Sequence, residues 1–278
     1  MVYGKTIQRE VSFYGVGLHT SAKCALKITP AQKGEGLVFN LKGESVVVNS
    51  DSLKGSCLGS NIVGGQASLR TVEHLLSALS GLGITDAYIS TNDIEVPILD
   101  GSAADFFNQL KSAGICLLGD YPQRRVANPF SVSDGSKMVE IVPRDDGEQV
   151  VDFSISFNNQ VVQGMPQKMS YIHNESNFYE QIAFARTFGF KRDLEALLSN
   201  NLCLGGSLEN AILIDDDRVI NLDGLRFKSE IISHKILDIL GDLYPLFRDF
   251  TSFTIKANQA GHAINNQFLK GFYREYDE

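Results

Sequence analysis

Apolar residues recur along this chain with two spacings, one of two residues and one between three and four. Residues 24–28 alternate, with Cys24, Leu26 and Ile28 on one face. Residues 150–157 do the same with Val151, Phe153, Ile155 and Phe157. Both stretches predict half-buried strands. Shorter runs at 11–19, 87–90, 95–99, 138–142, 211–214, 218–221 and 252–257 read as further strands. The helical spacing governs residues 71–79, where Leu75, Leu76, Leu79 and Leu82 form a stripe that Gly81 and Gly83 end. It returns at 102–113, with Ser102 as N-cap and Gly114 as stop, at 176–184, and at 229–243.

The pattern breaks at the polar stretch 119–125 and again at Asn128-Pro129. Two domains are therefore expected, 1–124 and 125–278. In each half strands come first and helices later, which predicts α+β. The similar order hints at duplication, although no residue-level repeat is visible.

The 278 residues are enough for one large domain or two modest ones. A net charge of -8 lacks the basic footprint of a nucleic-acid binder, so no nucleic-acid partner is expected. The N-terminus has no signal-peptide core, and no apolar run reaches transmembrane length, so the cytoplasm is the expected compartment. Cys24, Cys57, Cys116 and Cys203 are scattered and read as mostly buried thiols. Any metal site must then use His, Asp and Glu.

The helix at 229–243 carries the sharpest chemical signal. Ile232, Ile236, Ile239, Leu240 and Leu243 fall on one side. His234, Asp238 and Asp242 descend the other, with Ile231 and Leu237 close beside them. Such a row is partly buried, and buried ionisable groups need partners. His234 and Asp238, one turn apart, could grip a metal ion, with His74 as a third ligand and Glu73 as a base. Two imidazoles and a carboxylate that leave a position open form a catalytic pattern. The other reading is a plain i,i+4 His–Asp pair. No H-E-x-x-H or inverted motif is present, since Arg70 stands where the inverted form needs His. His262 is expected in a loop and His19 follows a Gly-x-Gly turn, whereas His173 has no suggestive partner.

Several segments in register resemble the zinc-dependent UDP-3-O-acyl-N-acetylglucosamine deacetylases of Gram-negative bacteria. They are Gly15-Val-Gly-Leu-His-Thr20, Thr71-Val-Glu-His-Leu75 and Glu95-Val-Pro-Ile-Leu-Asp-Gly-Ser-Ala-Ala104. They continue with Ala185-Arg-Thr-Phe-Gly-Phe190, Leu202-Cys-Leu-Gly-Gly-Ser207 and Asp223-Gly-Leu-Arg-Phe227, and end with the segments around His234 and His262.

The resemblance implies two α+β domains of similar topology, each a sheet with helices on one face, the helices packed between the two sheets. It implies one zinc ion on His74, His234 and Asp238, with iron(II) as the alternative metal. Glu73 would be the general base, His262 the general acid paired with Asp242, and Thr187 an oxyanion donor. Lys235 and Phe188 would contact the UDP-sugar. Leu194, Leu202, Cys203 and Leu213 would line a passage for the acyl chain. A monomer with transient contact to the membrane surface is expected. The glycine-rich stretch between Cys57 and Thr71 should form a hairpin near the site that touches no metal ligand. A different metal hydrolase and a non-catalytic lipid or sugar-nucleotide binder are the competing classes.

Overall fold

Strand Lys23–Pro30 buries Cys24, Leu26 and Ile28, the face that the alternation predicts. The computed structural model that contains it describes residues 2–56 and 58–277. The strand belongs to a five-stranded sheet ordered Val11–Val16, Lys23–Pro30, Ala87–Thr91, Leu37–Leu41, Glu44–Val47. Along that order the pairings are antiparallel, antiparallel, parallel, antiparallel.

A second five-stranded sheet is ordered Phe130–Asp134, Lys137–Pro143, Phe253–Asn258, Gln149–Ser154, Lys168–Ile172. Its pairings follow the same sequence. In both, the last strand in chain order is threaded into the centre. In both, a long helix precedes that strand and another helix follows it, with the short helix Tyr244–Asp249 added before the strand in the second half. The two are Glu73–Leu82 and Ala104–Ser112 in the first half, and Glu230–Asp242 and His262–Asp277 in the second. The hinted duplication is therefore one of topology. Burial periodicity persists between the halves while residue identities do not, which is why no repeat is legible. Strand Ile115–Tyr121 pairs with Val2–Ile7, whereas Arg124–Arg125 pairs with Phe250–Thr251. We propose that the halves divide where the partner changes.

The fold class is α+β, with two sheet-and-helix units sharing one core. Helix Glu230–Asp242 packs on strands Gln149–Ser154 and Lys168–Ile172 and against helix Glu73–Leu82. Every residue of Glu73–Leu82 is buried, including Ser77, Ser80 and Gly81 outside the leucine stripe. The other half covers the face that an isolated domain would leave to water. At Gly241 the two helices approach so closely that a methyl group would overlap the Glu73 carbonyl oxygen.

Several elements depart from the sequence reading. Helix Glu73–Leu82 runs through Gly81 and stops at Gly83, in the left-handed region at φ 66°. Residues 95–99 form no strand; their only ladder-type pairings among the described residues are the isolated bridges Arg70↔Glu95 and Gly17↔Pro97. Pro97 cannot donate to a ladder. Residues 218–221 likewise make one bridge, Ile214↔Val219. The helix expected at 176–184 is a short turn, Glu175–Asn177, followed by a π-helix, Phe178–Ile182. Ser102 does not cap a regular helix start. Its hydroxyl lies 3.2 Å from the Ala104 N–H that it accepts and donates to Asp100, while Ala103 is the N-cap residue.

His262 opens helix His262–Asp277 instead of lying in a loop. Ile264, Phe268, Leu269 and Phe272 give that helix an apolar stripe that the polar residues between them obscure. His173 does have partners, Ser80 Oγ and Tyr171 OH, each at 3.2 Å. Of the thiols, Cys24 is buried and Cys116 and Cys203 are only partly so, while Cys57 lies outside the described residues.

Gly241→Ala tests the helix seam. On an exposed helix this change stabilises by about 1 kcal/mol. Here the methyl meets backbone, so the unfolding free energy should fall by about 3 kcal/mol or more. Urea unfolding reads this directly, and an unchanged or raised midpoint contradicts the close approach.

Candidate active site

The seam brings His74, at the start of its helix, opposite His234 and Asp238. Their ligand-capable atoms all lie within 4.8 Å of one another, and all three residues are buried. The two imidazole rings meet edge-on with centroids 5.1 Å apart. His234 Nδ1 is 3.0 Å from the Ala185 carbonyl oxygen. A carbonyl only accepts, so Nδ1 carries the hydrogen and Nε2 presents its lone pair. His234 Nε2 in turn lies 3.4 Å from Asp238 Oδ1.

Burial, helped by repulsion from His234, pushes His74 down to about 3. Burial lowers His234 as well. Both rings are neutral near pH 7. Burial alone would raise Asp238, but Lys235 and His234 outweigh it and hold the carboxyl below the usual range. Lys235 Nζ is 2.7 Å from Asp238 Oδ2. His74 Nδ1 is buried with no hydrogen-bond partner among the described residues. An unsatisfied buried nitrogen costs about 1–3 kcal/mol, and a cation would satisfy it. Two neutral imidazoles and one carboxylate suit zinc or iron(II), so these residues fit a divalent metal. The i,i+4 His234–Asp238 pair is a buried one, not a surface pair.

A second group lies beside the first. Glu73 is buried and its Oε2 accepts the Ser60 N–H at 3.0 Å. Burial raises its pKa to about 7, against the pull of His262. His262 Nδ1 donates to Asp242 Oδ2 at 2.9 Å, and its Nε2 is 4.0 Å from Asp238 Oδ2. Burial opposes the imidazolium, but Asp242 and Asp238 outweigh it and raise its pKa to about 9. A buried carboxyl raised to about 7 beside an imidazole raised to about 9 has the electrostatics that a base and an acid would need near neutral pH. The stretch between Cys57 and Thr71 forms the hairpin Ser60–Gly64 with Ala67–Leu69, whose first strand also pairs with Leu53–Gly55, and through Ser60 it reaches Glu73 and Asp242.

Thr187 and Phe188 stand at the boundary with an apolar cavity. Thr187 donates its N–H to the Gly101 carbonyl at 2.7 Å and accepts the Ile212 N–H at 2.8 Å. The Phe188 ring centroid is 6.1 Å from that of His234. Both residues line a cavity of about 580 Å³, together with Leu18, Leu194, Leu197, Cys203, Leu208 and Leu213. Leu202 is not among the lining residues, and its N–H closes onto the Leu197 carbonyl at 2.9 Å after helix Lys191–Ser199. His19 also lines the cavity and accepts the Cys203 N–H at 3.3 Å. A separate cavity of about 460 Å³, by Ser80, His173 and Phe247, includes none of these site residues in its wall.

Two buried carboxylates that the sequence reading passes over hold the surrounding loops. Glu95 accepts the N–H groups of His19 and Thr20 at 2.8 and 2.9 Å, and the Thr71 hydroxyl at 3.0 Å. Glu230 accepts Arg186 Nε at 2.8 Å and the Arg226 N–H at 2.6 Å. This pins the segment that supplies the Ala185 carbonyl and Thr187. The available signal is an acidic residue inside an apolar run, as in Ile94-Glu95-Val96.

Fold and site together define a two-unit α+β protein with a buried His–His–Asp cluster that could hold a divalent metal ion, beside Glu73 and His262. The chain belongs to the UDP-3-O-acyl N-acetylglycosamine deacetylase (LpxC) family, whose model matches residues 4–274. It is 39% identical over 283 residues to a protein of Pseudomonas entomophila (strain L48), covering 100% of this chain and 92% of that one. It is 38% identical over 277 residues to a protein of Vibrio cholerae serotype O1 (strain M66-2), covering 97% and 90%. A Hahella chejuensis protein is 37% identical over 283 residues, covering 100% and 92%. Each of these relatives is named UDP-3-O-acyl-N-acetylglucosamine deacetylase.

Arg186→Ala should leave Glu230 buried and uncompensated, costing about 3–5 kcal/mol in urea unfolding. Replacing both partners by apolar residues of similar size should recover most of that loss. A loss below about 1 kcal/mol for Arg186→Ala would show that the pair does not fix the loop.

Proposed function

We propose that this protein hydrolyses the N-acetyl group of UDP-3-O-acyl-N-acetylglucosamine in lipid A synthesis, using one zinc ion held by His74, His234 and Asp238. The observation that carries the reading is the buried His–His–Asp cradle, with Glu73 and His262 beside it and an apolar cavity starting one ring away at Phe188. The names of the relatives support the substrate.

When bound, the zinc ion would supply Lewis acidity, polarising the acetamide carbonyl and acidifying a neighbouring water. Glu73 takes the proton from that water as it attacks the carbonyl carbon. The Thr187 hydroxyl donates to the developing oxyanion. His262, kept cationic by Asp242, gives its Nε2 proton to the departing nitrogen, and acetate and the free amine leave. Lys235 offers charge to the sugar nucleotide, and Phe188 offers a ring face.

Leu194, Cys203 and Leu213 would shelter the acyl chain, with Leu202 supporting the turn behind them. Among the described residues no helix is long and apolar enough to cross a membrane. The proposal places a monomer in the cytoplasm that meets its lipid substrate at the membrane surface.

Acetate release from UDP-3-O-acyl-N-acetylglucosamine, measured with chelator and after zinc add-back, tests the reading. Activity should vanish and return; metal-loaded protein that releases no acetate would overturn the substrate assignment. Glu73→Gln should keep its zinc and lose about 100-fold or more in turnover, whereas His234→Ala should lose the metal, as read by elemental analysis.

The two proton-transfer groups also set a pH profile. Glu73 must be ionised, so kcat/KM rises as pH passes its pKa, at or below about 7 because a bound cation favours the carboxylate. His262 must be protonated, so kcat/KM falls as pH passes about 9. Asp242→Asn should move the falling limb to lower pH. A falling limb that stays in place would remove Asp242 as the group holding that proton.

A further inference from the structure

Ser60 begins strand Ser60–Gly64 and is 2% exposed. All of its polar groups are engaged, and they reach both halves of the protein. Its N–H donates to Glu73 Oε2 at 3.0 Å. Its carbonyl accepts the Val72 N–H at 3.1 Å, immediately before Glu73. Its hydroxyl donates to Asp242 Oδ1 at 2.6 Å, across the seam.

Asp242 also receives Asn265 Nδ2 on Oδ2 at 2.7 Å, while His262 Nδ1 lies 2.9 Å from Oδ2 and 3.1 Å from Oδ1. The Ser60 hydroxyl therefore holds the oxygen that Asn265 leaves free. The hairpin's partner strand Leu53–Gly55 is anchored to the helix that carries His262. Asn266 Nδ2 donates to the Leu53 carbonyl at 2.6 Å. A methyl group at Gly55 would overlap the His262 carbonyl oxygen.

We propose that Ser60 is a positioning residue that joins the Glu73 carboxylate and the Asp242–His262 pair in one frame, its N–H on the first and its hydroxyl on the second. Base and acid come from different halves of the chain, so their spacing depends on the helix seam and on this hairpin. The hydroxyl also competes with His262 for the charge of Asp242. Without it, Asp242 keeps Asn265 and His262 but loses the contact that ties Oδ1 to the hairpin, and the imidazole loses part of its fixed aim. This inference rests on the deacetylase reading for its kinetic arm only.

Ser60→Ala removes the hydroxyl and keeps the N–H to Glu73, so it isolates the contact to Asp242. The kinetic arm compares wild type, Ser60→Ala, Asp242→Asn and the double variant on UDP-3-O-acyl-N-acetylglucosamine. Losing a hydrogen bond to a charged group should lower kcat about 10- to 100-fold, with KM within about twofold and the bound zinc unchanged. On the Asp242→Asn background the same change should cost less than about twofold. A kcat near wild type, or an equal loss on both backgrounds, overturns the proposal.

The second arm needs no substrate. In proton NMR of the zinc-loaded protein, the His262 Nδ1–H resonance should move on Ser60→Ala, because the carboxylate it bonds has lost a competing donor. An unmoved resonance overturns the proposal even if wild type proves inactive on this substrate. Failure of wild-type acetate release alone would instead count against the deacetylase reading.

Discussion

Helices Glu73–Leu82 and Glu230–Asp242 meet along a seam with no room for a side chain at Gly241, against the Glu73 carbonyl. The rest of the site depends on that contact. It sets His74 across from His234 and Asp238 at ligand-sharing distance. It also removes water from both helices, because each half supplies the cover that the other lacks. Neither half alone holds all three residues of the His74, His234 and Asp238 cluster.

Desolvation then determines the charge pattern. Glu73, His74, His234, Asp238 and Asp242 are buried and His262 is nearly so. His74 and His234 are kept neutral, the state in which an imidazole can offer a lone pair to a cation. Asp238 is kept ionised by Lys235 and the surrounding histidines. Glu73 has burial pushing it up, while His262 has two carboxylates pulling it up. Two adjacent groups thereby acquire opposite roles from the same dry environment. The cost of burying so many charges is met by pairing, and the Arg186–Glu230 pair shows the same rule just outside the site.

The cavity adjoining this cluster follows from a different feature. Helix Lys191–Ser199 buries none of its residues, yet Leu194 and Leu197 face inward across a void of about 580 Å³. A helix held on one apolar side only, over an open space, is suited to a long apolar ligand rather than to a packed core. Phe188 and Thr187 belong to both regions, so the polar chemistry and the apolar cavity share a wall.

Periodicity in the sequence determined the α+β class, the helices carrying His74 and His234, the break near residue 120 and the polar row of His234, Asp238 and Asp242. Those are local properties, fixed by side-chain spacing along one element. The roles of Thr187, Lys235 and the cavity residues came from resemblance, since nothing in their spacing distinguishes a substrate contact from core. Only the tertiary structure decided that the row on the second helix faces His74, that His262 starts a helix, and that Ser60, Glu95 and Glu230 brace the site. Each of those depends on residues far apart in the chain. Ser60 and Asp242, 182 positions apart, meet through a buried hydrogen bond. Long-range contacts of that kind arise from how the halves pack, which no pattern within a single element encodes.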